Sequence, residues 1–230
     1  MSENQQPSLG LNPAVDDTLA GAFAFILKKF LQNIDGMLPC VVVAADDERK
    51  FATVRPQIMV KGTDGELTTR AQLASVPIFH IGAGQFVLTF PVKPGDAGWI
   101  VASDRDISLY IQSGEEAAAN TDRLHKFSDG LFIPDAARKF TLDPANADRV
   151  VLQSLDGSVY VALSADSIFM KAPTKVRMET PLVEMTGDLT VDGTVRGKTD
   201  VLSGSGNISG KTHHHTGVTT GGGNSGGPAN

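Results

Sequence analysis

The sequence predicts a mainly β protein with an N-terminal α-helix, an OB-fold barrel and an intertwined, triple-stranded trimeric β-helix. Apolar residues recur at helical spacing after Pro13, and short apolar runs separated by Gly and Asp follow up to about residue 110. Paired apolar residues then recur at shrinking intervals. The predicted segments are 1–36 (polar start and helix), 37–112 (barrel), 113–150 (connector), 151–210 (shaft) and 211–230 (apex and Gly-rich tail).

The first predicted element is an amphipathic helix that ends near Gly36. Its apolar positions are Val15, Leu19, Ala22, Phe23, Ile26, Phe30 and Ile34. Two interpretations remain open: a docking or trimerising helix, or a helix folded onto its own domain. The apolar stretch 19–27 is far shorter than the ~20 residues that span a bilayer, and the polar, acidic start does not resemble a secretory signal.

The barrel is predicted from five runs at 39–45, 51–60, 67–76, 85–90 and 99–103, within about 70 residues. An OB-fold by itself suggests oligonucleotide or sugar binding. The formal net charge of −6 and the low aromatic content argue against a nucleic-acid partner, since such binding depends on clustered cations and stacking side chains. An adaptor role is therefore expected.

Few residues in this region suggest catalysis. Cys40, the single cysteine, lies in an apolar run and is expected to be a buried thiol, while His80 and His125 are expected to be hydrogen-bonded structural residues. Asp104 and Asp106 flank Arg105, and this pattern is typical of a solvated ion-pair cluster on a turn. No nucleophile elbow, phosphate-binding loop or zinc-protease helix motif occurs, so we expect no enzyme.

The shaft is predicted from apolar pairs that alternate with polar residues. The pairs begin at residues 159, 168, 176, 183 and 189, which are 9, 8, 7 and 6 residues apart. Two inward residues per strand cannot enclose a core in one copy. Three copies around one axis can bury these apolar residues against each other and pair the open strand edges, so a homotrimer is expected. The alternative is a monomeric β-roll or sandwich extension.

The apex is predicted from His213, His214 and His215, which precede a Gly-rich end. In an extended chain, His213 and His215 face one side and His214 faces the other. Three chains then offer six imidazole nitrogens, which match an octahedral ion; iron(II) is preferred over zinc, which takes four ligands. Other ions remain possible, and a fragment of a purification tag is the alternative.

Five stretches resemble the phage baseplate puncturing proteins, which have an OB-fold, a trimeric β-helix and an iron-tipped apex. The stretches are residues 37–43, 53–58, 85–98, 103–107 and 123–130. The resemblance implies that the barrel joins a baseplate or tail hub protein, that the β-helix forms the shaft, and that His213 and His215 of each chain hold iron. It covers roughly residues 30–230.

The expected function is that of a virion tail spike at the tip of the phage baseplate, made in the host cytoplasm, that pierces the host outer membrane during tail contraction. Stiffness, and not catalysis, is the property this role requires. The rivals are a trimeric receptor- or glycan-binding tail adhesin and, less favoured, a cell-wall hydrolase. The small side chains and glycines at the terminus argue against an adhesin, which needs a broad polar or aromatic face.

Overall fold

The structure, a computed structural model, describes residues 19–62, 65–136, 139–204 and 206–212. The chain divides into two units, Met1–Val176 and Arg177–Asn230, which are described separately. Among its described residues, the first contains helices α1 (Leu19–Gln32) and α2 (Ser108–Ser113) and twelve strands. The strands are β1 (Met37–Ala45), β2 (Phe51–Pro56), β3 (Val60–Lys61), β4 (Leu67–Thr68), β5 (Leu73–Pro77), β6 (Ile81–Ala83), β7 (Phe86–Leu88), β8 (Ala97–Arg105), β9 (Leu124–Pro134), β10 (Val150–Gln153), β11 (Tyr160–Leu163) and β12 (Ile168–Lys171).

Five of these strands form a nearly closed, barrel-like sheet in the order β5-β2-β1-β8-β9. All the neighbouring pairs are antiparallel. A parallel bridge between Ile78 and Phe132 brings the two sheet edges together, and the Phe79 amide donates to the Phe132 carbonyl at 2.8 Å. The expected mainly β chain with an N-terminal helix is confirmed.

The barrel core arises from strand alternation, because every second side chain points inward. Strand β2 buries Ala52, Val54 and Pro56 in turn. The largest core side chains are Phe132 and Ile100, both fully buried. The rest of the cluster consists of Cys40, Val42, Ala52, Val54, Val76, Ile78 and Phe127. Cys40 is buried as predicted, and burial raises the pKa of its thiol to about 12.

A bulge in β9 changes the expected layout. Gly130 pairs with Ala102, but the next residue of β8, Ser103, pairs with Lys126, so the three residues in between are extra on β9. The fifth barrel strand therefore lies inside 113–150, which the sequence pattern predicts as a connector. The predicted run at 85–90 instead belongs to the two-stranded hairpin β6–β7, outside the five-stranded sheet.

Strands β10, β11 and β12 form a separate antiparallel sheet that gives the shaft region its two different faces. On one face the guanidinium of Arg149 lies 3.8 Å from the ring centroid of Phe169, and Ala162 is buried. The opposite face carries six exposed apolar side chains: Val150, Leu152, Val161, Leu163, Ile168 and Met170.

In the second unit the described residues form one small hairpin, β13 (Leu202–Ser203) and β14 (Ile208–Ser209). The Asp200 carboxylate accepts from the amides of Val201 at 2.8 Å and Lys211 at 3.1 Å, and from the Ser209 hydroxyl. The Ser209 hydrogen bond is the main reason that the pKa of Asp200 is lowered. One carboxylate thus closes the turn that precedes the predicted apex.

Candidate assembly surfaces and polar sites

A polar cluster of the barrel is built around two buried carboxylates, Asp106 and Asp129, and the half-exposed guanidinium of Arg123. Arg123 Nη2 donates to Asp106 Oδ2 and to Asp129 Oδ1, both at 3.0 Å, and its Nε donates to Asp129 Oδ2 at 3.2 Å. Asp106 also accepts from the Thr121 hydroxyl at 2.7 Å and from the Ser108 amide at 2.9 Å. We call these five residues the carboxylate clamp.

The clamp overturns the solvated ion-pair interpretation of Asp106. Its side chain is fully buried, and hydrogen bonds from Ser108 and Thr121, with the charge of Arg123, hold its pKa well below the ordinary range. Asp104, by contrast, is 88% exposed and lies 3.5 Å from Nδ1 of His125. The clamp closes the excursion between β8 and β9, which indicates that it supports the fold at this end of the barrel.

The sequence reasoning missed the clamp because its partners are far apart along the chain. Asp106 and Arg123 are 17 residues apart and meet because the excursion between β8 and β9, which contains α2, returns to the same barrel end. Both lie in stretches that carry the resemblance, at 103–107 and 123–130. The presence of opposite charges, Asp106 and Arg123, in two separate stretches of the resemblance was the one sequence signal for this contact.

The junction between α1 and the barrel is a second polar site, centred on Asp35. Its amide donates to the His125 carbonyl at 2.9 Å, and its carboxylate accepts from Arg70 Nη1 at 3.3 Å and from the Phe127 amide at 3.1 Å. Lys126 Nζ donates to the Asn33 carbonyl at 2.8 Å. These bonds fix the point at which the helix enters the barrel.

An open cleft of about 530 Å³ lies beside this junction. Its charged lining includes Arg70, Arg123 and Lys126, and each of these cations already donates to the Asp35 carboxylate, the carboxylate clamp or the Asn33 carbonyl. His80, outside the cleft, lies with Nε2 2.6 Å from the Arg49 carbonyl. His80 and the cleft cations are thus engaged in contacts within the fold.

The shaft region leaves a long series of apolar side chains uncovered. Between β12 and β13 the described residues contain no strand, and residues 172–200 form no backbone-to-backbone hydrogen bond within the described chain. The alternating apolar side chains there are 44–65% exposed: Val176, Met178, Val183, Met185, Leu189, Val191 and Val195. Within the described chain, the backbone of this segment therefore has no strand partner, and these apolar side chains stay uncovered.

The predicted metal ligands His213 and His215 lie outside the described residues, as does His214. Within the residues that the structure does describe, no group of three or more His, Cys, Asp or Glu side chains is arranged to hold a metal ion. None of the described helices is both long enough and apolar enough to cross a membrane.

Comparison with known proteins matches part of the chain to a phage family. Residues 38–135 match the family model described as the phage protein Gp138 N-terminal domain. The matched region runs from β1 to the end of β9, so it coincides with the barrel and is under half of the chain. No curated protein matches the chain. The family match indicates a structural, virion-associated protein of a phage tail or baseplate.

Proposed function

We propose that this chain is the subunit of a homotrimeric central tail spike that pierces the host outer membrane when the tail contracts. The observation that carries the proposal is the segment 172–200, which has alternating exposed apolar residues and forms no backbone-to-backbone hydrogen bond within the described chain. Unpaired backbone groups and apolar side chains both require partners when a chain folds. Two further copies around a common axis supply both.

The intertwined β-helix follows from the same segment. In a triple-stranded β-helix each strand pairs with strands of the other chains, so the alternation places one set of side chains at the axis and the other in solvent. The apolar face of the β10–β12 sheet supports the same arrangement at the start of the shaft, because its six exposed apolar side chains are not covered by the described chain.

The barrel serves as the adaptor that joins the spike to a baseplate or tail hub protein. Counted along the barrel alone, its strands run in the order 3-2-1-4-5, and a parallel bridge between the third strand and the fifth closes the sheet. This five-stranded, partly open arrangement supports an OB-fold. With a net charge of −6, the chain favours a protein partner over nucleic acid.

The apex is proposed to hold iron through His213 and His215 of each chain. The donor set fits such an ion, because two imidazoles per chain give six nitrogens in a trimer, the number an octahedral first-row ion takes. The ion supplies Lewis-acid binding that ties three chain ends together and adds its binding free energy to the stability of the tip. His214 is proposed to face solvent.

The proposed mechanism is mechanical and requires no catalytic residue. Sheath contraction supplies the work, and the spike at the tip of the baseplate must stay rigid while it concentrates the force on a small area. Interchain hydrogen bonds resist fraying along the shaft because closure removes free strand edges. A metal held by His213 and His215 of each chain would oppose splaying at the end where the side chains are smallest.

The proposal is tested by the mass of the full chain in solution and by its metal content. We expect a mass of three chains, about one iron per trimer, and loss of the iron in the double variant His213→Ala, His215→Ala with the trimer retained. The matched control is His214→Ala, which is expected to keep the iron. A monomeric mass contradicts the spike, whereas a trimer whose double variant keeps its iron contradicts the ligand assignment alone.

A further inference from the structure

Helix α1 is the largest apolar element that the described chain leaves uncovered. None of its 14 residues is buried, and Leu19, Phe23, Ile26, Leu27, Phe30 and Leu31 are 57–76% exposed. Its only charges are Lys28 and Lys29. A helix that is apolar over most of its surface is normally found in a protein interior. The described residues of its own domain do not provide that interior.

The apolar residues of α1 form a seam with the spacing of a coiled coil. Leu19, Phe23, Ile26 and Phe30 are separated by 4, 3 and 4 residues, the alternation of a and d positions in a heptad. At 3.6 residues per turn these four fall within an arc of about 60°, and Lys28 lies on the opposite side. Three identical helices can therefore meet along the seam with Lys28 facing away from it, while Lys29 lies about 90° from its centre and flanks it.

The apolar surface is wider than the seam of a two-stranded coil requires. Leu27 and Leu31 extend it on one side, and both are exposed. A strict a and d stripe suffices for two helices, whereas each helix of a larger bundle contacts two neighbours and buries a wider face. The width favours three helices over two.

The junction with the barrel holds the helix in a fixed position although the helix itself is uncovered. The Asp35 and Lys126 hydrogen bonds described above anchor its C-terminal end, and the Gly36 carbonyl accepts from the Ala102 amide at 2.8 Å. Because each α1 is attached at the same point of its barrel, the axis that relates three barrels also relates their three helices.

We propose that α1 of three copies packs into a short parallel three-helix bundle through Leu19, Phe23, Ile26 and Phe30. This inference rests on the trimer of the proposed function and adds a second trimer contact at the opposite end of the barrel domain's sequence from the shaft. Two heptads are too short to associate firmly by themselves, so the bundle depends on a trimer that other segments already hold together.

Thiol cross-linking in the full chain tests the bundle. Ile26→Cys places a thiol on the seam, Leu19→Cys gives a second seam position, and Lys28→Cys is the matched control on the opposite side of the same helix. A short bismaleimide is used because a direct disulfide demands Cα atoms about 4.4–6.8 Å apart. The native Cys40 is only 2% exposed and does not compete.

We expect both seam variants to give a covalent two-chain product, with about two of every three chains linked, since one thiol of three is left over in a trimer. Lys28→Cys is expected to stay at least fivefold lower. If the mass is that of a trimer but the seam variants link no better than Lys28→Cys, the bundle is wrong and another protein covers α1, while the spike proposal stands. A monomeric mass in solution would contradict both the helix bundle and the spike proposal.

Discussion

Asp106 illustrates how a single residue can be assigned to the wrong environment from its sequence neighbours. In the sequence it stands beside Arg105 and two residues from Asp104, a pattern that indicates solvated charges. In the fold its partner is Arg123 instead, and its side chain has no solvent exposure. Local sequence carries no information on this partner, because the excursion between β8 and β9 determines which residues meet.

The carboxylate clamp gives the barrel a defined acid sensitivity. The pKa of Asp106 is lowered in the fold, so its ionised form stabilises the folded state above the carboxylate's unfolded pKa of about 4. That stabilisation is expected to be lost as the pH falls from about 4 toward the lowered pKa of Asp106 in the folded state. We predict that Asp106→Asn lowers the Tm at pH 7 by several degrees, and that the difference from the natural chain narrows below pH 4.

Thermal unfolding between pH 7 and pH 2.5 measures this effect. Asp104→Asn is the control, because that carboxylate is 88% exposed and is expected to leave the Tm within about 2 °C of the natural chain at every pH. A Tm difference for Asp106→Asn that stays constant from pH 7 to pH 2.5 would show that the lost stability does not come from the ionised carboxylate.

At the level of elements, Gly98 on β8 is a position where the neighbouring strand β9 leaves no room for a side chain. A methyl group there would meet the Phe132 ring and the Ile133 carbonyl of β9 closer than any normal contact. We predict that Gly98→Ala destabilises the barrel by about 1–3 kcal/mol, because both neighbours belong to the packed sheet. Gly36→Ala is the control, since nothing lies within 4 Å of its added methyl group. Urea unfolding of both variants gives the comparison; equal stability of the two would contradict the close β8–β9 packing.

The elements that could be predicted from sequence are those with an uninterrupted pattern. Strands β1 and β2 show alternation or a long apolar run, and α1 shows clear helical spacing. Strand β9 does not, because its middle reads Ser128, Asp129 and Gly130, a composition typical of a turn, and the first two of these lie in the bulge. The polar bulge that hides the strand also delivers Asp129 to Arg123.

The proposed sites also differ in how far the sequence predicts them. The apolar alternation of the shaft is visible in the sequence, and the register of β10–β12 confirms that Val161, Ile168 and Met170 share one face. The Asp35 junction and the clamp could not be predicted, since each joins residues that the chain separates widely. The metal ligands His213 and His215 stay a prediction from sequence.

At the scale of the whole molecule, the trimer proposal predicts that substitutions at two neighbouring residues of the shaft have different effects on assembly. Leu189 belongs to the apolar set and Thr190 lies between its members, so the proposed three-fold axis places Leu189 inside and Thr190 in solvent. In the described chain both residues are exposed, so a single copy offers no reason for a difference.

We therefore predict that Leu189→Asp abolishes or strongly weakens the trimer, because it gathers three carboxylates at a dry axis, where unpaired charge is costly. Thr190→Asp introduces the same side chain one position later and is expected to keep the trimer, with a change in stability within about 0.5 kcal/mol. Mass in solution and thermal unfolding of the two full-length variants provide the measurement. Equal effects of the two changes would mean that the two-residue alternation does not surround an axis, and the shaft would then have to bury its apolar residues against something other than copies of itself.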